Sequence, residues 1–503
     1  MNALLKRSFR LFSCLILSVL GLAYITPSYG QQRTLPPDTS VTTTHQITIN
    51  GQKVPYEVTV GTLPVYGKDG KADASVQYTY YRRTDVKDES NRPIMISFNG
   101  GPGTGSLWMH LGYTSPKRLK VSDDGYPVQP YGVEDNPHSI LDATDLVYVN
   151  PVNTGFSRIL NDGKKKQFFG VNADINYLAD WIDLFISRKG RWNSPKYLIG
   201  ESYGTTRVAG LAGKLQSAHD IYLDGVILQG QCGIGELPSR SSRTSSALKL
   251  PYYTSTAWYH KQLPQDLQSK DLTEILPEVN DFTIQKYIPA VTRGGSINQN
   301  EKQQIAKQVA RYSGLSVQFV LDHNLVVPNS AFWKELLRDQ EKTIGRLDSR
   351  YLGIDKMNGG SRPDYNAELS SWENSFTPAI NHYLRDELGF KTDLQYYVFG
   401  PVHPWNRDDN HVGDMLRRAM EENPALHVLN QQGYYDGACD VLTAKYALWQ
   451  MDSSGKLKDR IKFISYKSGH MLYVRNKQMI KGNNDIRQFI ENTVPQKRQP
   501  IKY

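Results

Sequence analysis

The pentapeptide Gly200-Glu201-Ser202-Tyr203-Gly204 constrains this chain more than any other five residues. It follows the apolar run Tyr197-Leu198-Ile199 and precedes TTRVAGLAGKLQSA, whose apolar residues recur at helical spacing. Glycines two positions either side of a serine let a strand turn directly into a helix and leave the hydroxyl exposed at the apex. The pattern alone is weak in a chain with 40 glycines, and an ordinary strand-to-helix turn would also carry it. The flanking strand and helix supply the context in which such a serine is a nucleophile.

Around this turn, short apolar runs alternate with amphipathic stretches. HQITINGQKVPYEVTV alternates until Asn50-Gly51, a two-residue turn signal, and VQYTYYRRT and PIMISFNGG continue the strand pattern. LVYVNPV, YLIG and DGVILQGQ are further strand candidates, with a helix predicted over about Asn172–Arg188. Beyond Gly235 the alternation stops. As far as about Phe390 the chain reads as helical, for example NQNEKQQIAKQVARY and NSAFWKELLRDQEKTIGRL. Strand patterns return in ALHVLNQQG and IKFISYKSG, and QMIKGNNDIRQFIENT closes as a helix. This order predicts an α/β fold, a doubly wound and mostly parallel sheet with a mainly helical cap inserted into it. The expected divisions are a signal peptide at 1–30, core at 31–235, cap at 236–390 and core again at 391–503.

A serine hydrolase of α/β type places its nucleophile, acid and base in that chain order. Asp436 follows ALHVLNQQG within a turn, and His470 follows IKFISYKSG as the only histidine after it. Asp440 is the rival acid, but it directly precedes VLTAKYALWQM, where helix capping is the expected role. In this scheme His470 takes the Ser202 proton while Asp436 orients the imidazole. The oxyanion needs two fixed N–H donors: the Tyr203 amide, and one from the glycine-rich run Asn99-Gly100-Gly101-Pro102-Gly103. That run lacks the Gly-Lys-Ser/Thr ending of a nucleotide-binding loop. The chemistry calls for no cofactor and no metal.

Composition narrows the setting. Lys6, Arg7 and Arg10 precede an apolar run from Leu11 to Ile25, and Ser28 and Gly30 supply small residues at a cleavage position. Export to a secreted or periplasmic location is therefore expected, with no stable membrane association after cleavage. The net charge of +9 drops to +6 without the three basic leader residues, and it is spread along the chain, which argues against nucleic acid. Cys14 lies in the leader. Cys232 and Cys439 remain; they are too few for a zinc site. Cys232 ends the strand after the elbow helix and Cys439 lies three residues past Asp436, so a bridge could brace the Asp436 loop; two buried thiols are the alternative. A Cα separation beyond about 7 Å would exclude the bridge.

NGGPG (99–103), GESYG (200–204), NPVNTGFSR (150–158), GYYD (433–436) and SGHM (468–471) together resemble the serine carboxypeptidases, in their order and at compatible spacings. GESYGTTRVAGLAGKLQ looks like the bacterial branch. The resemblance covers nearly the whole chain after the leader. It implies an α/β-hydrolase fold, a Ser202–Asp436–His470 triad, an oxyanion hole of the Gly101 and Tyr203 amides, and a grip on the substrate's terminal carboxylate by Asn99, Gly100 and Glu201. Peptide or protein C-termini would be the substrates. Two departures stand out. Thr104 replaces a cysteine common after the glycine run, and in His110-Leu111-Gly112 a histidine stands where many relatives carry a glutamate that partners Glu201. His110 is thus the expected neighbour of Glu201, which puts the family's acid pH preference in question. An acyltransferase or esterase using the same triad is the alternative within the fold, and a non-catalytic binding partner is the alternative outside it.

Overall fold

The computed structural model describes residues 35–160, 163–234, 242–407 and 410–495. The expected leader at 1–30 and the first cap boundary at 235–236 lie outside them. Three long strands, β1 (Thr39–Ile49), β2 (Gln52–Tyr66) and β3 (Ala72–Arg83), open the chain. Asn50 and Gly51, with φ of 48° and 82°, form the turn between β1 and β2, and Ile49 pairs with Gln52. Positive φ at both central residues matches the right-handed twist of a hairpin, which explains the Asn-Gly pair.

The core strands are shorter: β4 (Ile94–Phe98), β5 (Asp145–Val149), β6 (Lys196–Glu201), β7 (Gly225–Gln229), β8 (His427–Gly433) and β9 (Ile461–Tyr466). They lie in the order β1-β2-β3-β5-β4-β6-β7-β8-β9, and the two-residue strand Arg158–Ile159 pairs with β3. The first three neighbour pairs are antiparallel. The remaining five are parallel. Every residue of β4 to β7 is buried, the mark of strands covered on both faces. The alternation within β6 shows how. Leu198 joins the core formed by α1 (Val171–Lys189), α2 (Tyr203–His219) and α6 (Val412–Glu422). Tyr197 meets Phe489 of α8 (Asn476–Thr493), with ring centroids 6.2 Å apart.

Between β7 and β8 the described residues are mainly helical. Among them α3 (Leu250–Tyr259), α4 (Leu272–Phe282) and α5 (Gln299–Ser313) gather around a hydrophobic cluster of their own. The long helix predicted over NSAFWKELLRDQEKTIGRL is a single short one, Asn329–Glu335. Leu337 already departs from helical geometry at φ −120° and ψ 26°; a 3-10 turn follows over Arg338–Gln340, where Arg338 reaches the Asn358 and Gly360 carbonyls, and Glu341 takes a φ of 55°. A short β-ladder, Thr343–Ile344 with Leu352–Gly353, follows. After β8 comes α7 (Val441–Met451).

Candidate active site

Ser202 sits at the C-terminal end of β6 with φ 59° and ψ −126°, directly before α2. A non-glycine residue there costs roughly 1–3 kcal/mol and persists only where its surroundings hold it. Here the Ser202 amide donates to the Gln229 carbonyl at 3.0 Å, and the Ser202 carbonyl accepts from the Thr205 amide and hydroxyl at 2.9 and 2.6 Å. The flanking glycines are required by close approach. A Cβ on Gly200 would collide with the Gly204 carbonyl, and one on Gly204 would lie 2.9 Å from the Phe98 carbonyl oxygen. Ser202 itself is only partly buried.

The glycine-rich run packs against this elbow. A Cβ on Gly100 would stand 2.5 Å from the Tyr203 amide nitrogen. The turn Gly101-Pro102-Gly103, with φ of +100° at Gly101 and +96° at Gly103, is pinned by the Thr104 amide on the Gly100 carbonyl at 3.2 Å. As first residue of α2, Tyr203 has an amide with no acceptor inside the helix. Behind the run stands NPVNTGFSR. Asn150 Oδ1 accepts from the Ser106 amide at 2.6 Å, while Ser106 Oγ accepts from the Asn99 amide at 3.2 Å. That motif therefore serves as a scaffold for the glycine loop.

His470 and Asp436 meet as expected, with His470 Nδ1 2.6 Å from Asp436 Oδ2. Asp436 Oδ1 accepts the Ala438 and Cys439 amides, each at 2.9 Å, so both carboxylate oxygens are occupied. Asp440 instead caps α7 through the Thr443 amide at 2.9 Å. Burial alone would make His470 less basic; Asp436 and Glu201 outweigh it and raise the imidazole above its ordinary value. The helical insertion also holds this pair. The His470 amide donates to the Leu347 carbonyl at 2.7 Å, Gly437 to Arg346 at 3.0 Å, and Ser349 to Tyr435 at 3.0 Å. Residues 346–349 thus tie down the His470 and Asp436 loops together.

Glu201, the residue before Ser202, is buried. Its carboxyl is pushed up to about 7, first by burial and then by Asp436, against the opposing pull of His470, Tyr473 and Asn99. Asn99 Oδ1 accepts the Met109 amide at 3.0 Å, which fixes the side chain with its NH₂ group toward Glu201 and Tyr473. His110 is not the neighbour of Glu201 that the sequence led us to expect. Its Nε2 lies 2.6 Å from the Tyr81 hydroxyl and its ring stacks on Tyr148, centroids 4.4 Å apart. The chain from Leu107 continues as a π-helical turn, His110–Thr114, which directs this ring into the Tyr81, Tyr148 and Tyr383 cluster. Buried there with no carboxylate to offset desolvation, the imidazole falls to about 3 and stays neutral. The hydroxyl that reaches Glu201 Oε2 is that of Tyr473.

Cys232 and Cys439 are joined by a disulfide, with Cα atoms 5.1 Å apart. Cys232 Sγ is 3.9 Å from Ser202 Oγ, so the bridge lies beside the elbow serine. Asp436, Cys439 and His470 could by donor type hold a metal. However, the sulfur is committed to Cys232 and the imidazole Nδ1 to Asp436.

One ion pair near the site went unread in the sequence. Arg207 of α2 contacts Asp174 of α1 at 2.7 Å, both buried, and donates to the Asn99 carbonyl at 2.7 Å. The only signal was a charge within the apolar face of TTRVAGLAG. Removing one partner of a buried pair leaves the other charge uncompensated. Arg207→Ala is therefore expected to lower unfolding free energy by about 3–5 kcal/mol in a urea titration, and a loss below about 1 kcal/mol, the scale of an exposed pair, would contradict that role.

Comparison with known proteins agrees with this architecture. A serine carboxypeptidase-like protein of Arabidopsis thaliana, number 36, is 32% identical over 31% of this chain and 31% of its own length. Number 37 of that set is 28% identical over 28% of each. The matched stretch thus spans about a third of these relatives. The crystal structure of Kex1(delta)p, a prohormone-processing carboxypeptidase from Saccharomyces cerevisiae, superposes with a TM-score of 0.51 at 16% identity, covering 87% of this chain and 91% of that one. At that identity the likeness speaks for the fold, the α/β-hydrolase fold. The serine carboxypeptidase family profile matches residues 66–482, a stretch that takes in the glycine-rich run, the elbow, Asp436 and His470 alike; the chain belongs to the serine carboxypeptidase family.

Proposed function

We propose that this protein is an exported serine carboxypeptidase that removes the C-terminal residue of peptides or proteins through an acyl-enzyme on Ser202. The observation that carries the reading is Glu201, a buried carboxyl beside Asn99 and adjoining Ser202 in sequence, pushed up to about 7. With Nδ1 of His470 held by Asp436, Nε2 is the nitrogen that takes the Ser202 proton and returns it to the leaving amine. The Gly101 and Tyr203 amides receive the oxyanion. Asn99, the Gly100 amide and Glu201 bind the substrate's terminal carboxylate, which restricts attack to the last peptide bond. Water then releases the acyl group. The 236–390 segment serves as a cap over this site, and its 346–349 stretch braces the acid and base loops. A leader at 1–30 accounts for export, and the Cys232–Cys439 bridge suits an oxidising compartment. Among the described residues no helix is long and apolar enough to cross a membrane.

Two ionised carboxylates in contact repel, so Glu201 donates to substrate only when protonated. Below about pH 7 the carboxyl form predominates and free-carboxylate peptides bind; above it Glu201 ionises and KM rises. Incubation with an N-blocked dipeptide is expected to release the free C-terminal amino acid. KM should climb about tenfold for each pH unit above the Glu201 midpoint, since only the protonated fraction binds. Glu201→Gln keeps a donor without a titrating group and should flatten that climb, as should a C-terminal amide on the substrate. Ester turnover without any release from the dipeptide would point to an esterase. An equal climb for amidated substrates would remove Glu201 from this role.

A further inference from the structure

The residue that holds Glu201 is Tyr473, three positions beyond His470. Its hydroxyl donates to Glu201 Oε2, and its ring stacks on Tyr113 with centroids 5.0 Å apart and planes 21° apart. The stack is itself anchored, because the Tyr113 hydroxyl donates to Gln431 Oε1 at 2.8 Å, on β8. Gly112 leaves room for it: a Cβ there would stand 2.5 Å from Tyr473 Cε2. The π-helical turn that carries His110 away from the site thus presents a bare backbone against which this phenol lies. Tyr473, Asn99 and Glu201 are all buried.

The direction of the hydrogen bond follows from the available partners. Asn99 Oδ1 is committed to the Met109 amide, so Asn99 offers the phenol a donor and no acceptor. The phenol itself is pushed far above its ordinary range by burial and by the Glu201 charge, so it keeps its proton. Its acceptor is Glu201 Oε2. We propose that Tyr473 is a positioning residue for the terminal-carboxylate contact: its hydroxyl occupies Oε2 of Glu201, so that Oε1 carries the proton donated to substrate. The inference rests on the reading of Glu201 given above and adds which oxygen is used and what selects it. It also replaces a second carboxyl with a group that does not titrate in the working range. Glu201 then changes charge on its own, with no proton shared between two acids.

The groups facing Glu201 are His470 and Asp436 from the base and acid loops, Asn99 from the end of β4, Tyr473, and Tyr113 behind it. Of these Tyr473 can be altered with least disturbance, since phenylalanine keeps the ring and its stack. In Tyr473→Phe, KM for a free-carboxylate peptide on its acid plateau should rise about 2- to 12-fold, the span of one hydrogen bond. The pH midpoint of the KM rise should move upward by roughly half to one pH unit, because the lost donor favoured ionised Glu201. The kcat for that peptide, and KM for its C-terminal amide, should stay within about twofold, below the span of one hydrogen bond. Replacing Tyr473 by 3-fluorotyrosine, a stronger donor of nearly the same shape, should move the midpoint downward. That arm stands even if the phenylalanine variant folds poorly. Midpoints unmoved by both substitutions, while Glu201→Gln still flattens the profile, would overturn the role of Tyr473 and leave that of Glu201 intact. If Glu201→Gln leaves the profile unchanged, the underlying reading of Glu201 fails instead.

Discussion

Ser202→Ala is expected to abolish turnover, by about 10⁶-fold in kcat, with the fold unchanged. Only one oxygen is removed from a partly buried apex, while the amide and carbonyl that fix the elbow remain in place. Alanine at φ 59° carries the strain that serine already bears, so thermal unfolding should differ little. A fluorophosphonate should label the parent once, at Ser202, and leave the variant unlabelled. Attachment to a different serine, or residual turnover above about a thousandth of the parent's, would show that the elbow serine is not the nucleophile. The second large effect belongs to the acid. Asp436→Asn should reduce kcat by about 10⁴-fold, because an amide in that place no longer selects the imidazole tautomer whose Nε2 accepts a proton. Substrate affinity should change little, since Asp436 is buried behind His470 and spends its other oxygen on the Ala438 and Cys439 amides. Asp440→Asn keeps an N-capping oxygen for Thr443 and should be nearly silent in activity. If the two variants exchanged these behaviours, the choice of acid would be reversed.

The site divides into what periodicity and order can carry and what they cannot. The elbow was legible because Gly200 answers to a contact four residues away, the Gly204 carbonyl, within one short motif. Asp436 and His470 were legible because the fold fixes their order and places each just past a strand. Tyr473 was not, since it meets Glu201 across 272 residues and its approach depends on a bare Gly112 in an irregular turn. His110 was misplaced for the same reason. A motif gives a position along the chain, and a π-helical turn decides where the side chain points. Arg207 and Asp174 look like ordinary helix charges until the two helices are brought together. The shortened helix at Asn329–Glu335 shows local pattern overruled by tertiary partners, with Arg338 drawn to carbonyls some twenty residues ahead.

The pairing of β7 with β8 bears on how such a protein can diversify. Gly225–Gln229 and His427–Gly433 run side by side, although almost two hundred residues of chain separate them. Because the two strands run parallel, the excursion leaves beyond the C-terminal end of β7 and returns to the N-terminal end of β8, and the Cys232–Cys439 bond joins the chain just past the C-terminal ends of both strands. A segment attached in this way can lengthen, shorten or be rebuilt while the register beneath the serine, the aspartate and the histidine stays as it is. Residues 346–349 lack that freedom, because their backbone is hydrogen-bonded to the loops of both Asp436 and His470. Variation among relatives should therefore crowd into the helices around α3, α4 and α5 and thin out sharply at those four residues, so that one short tether marks where a changeable attachment is held to an unchanging reaction.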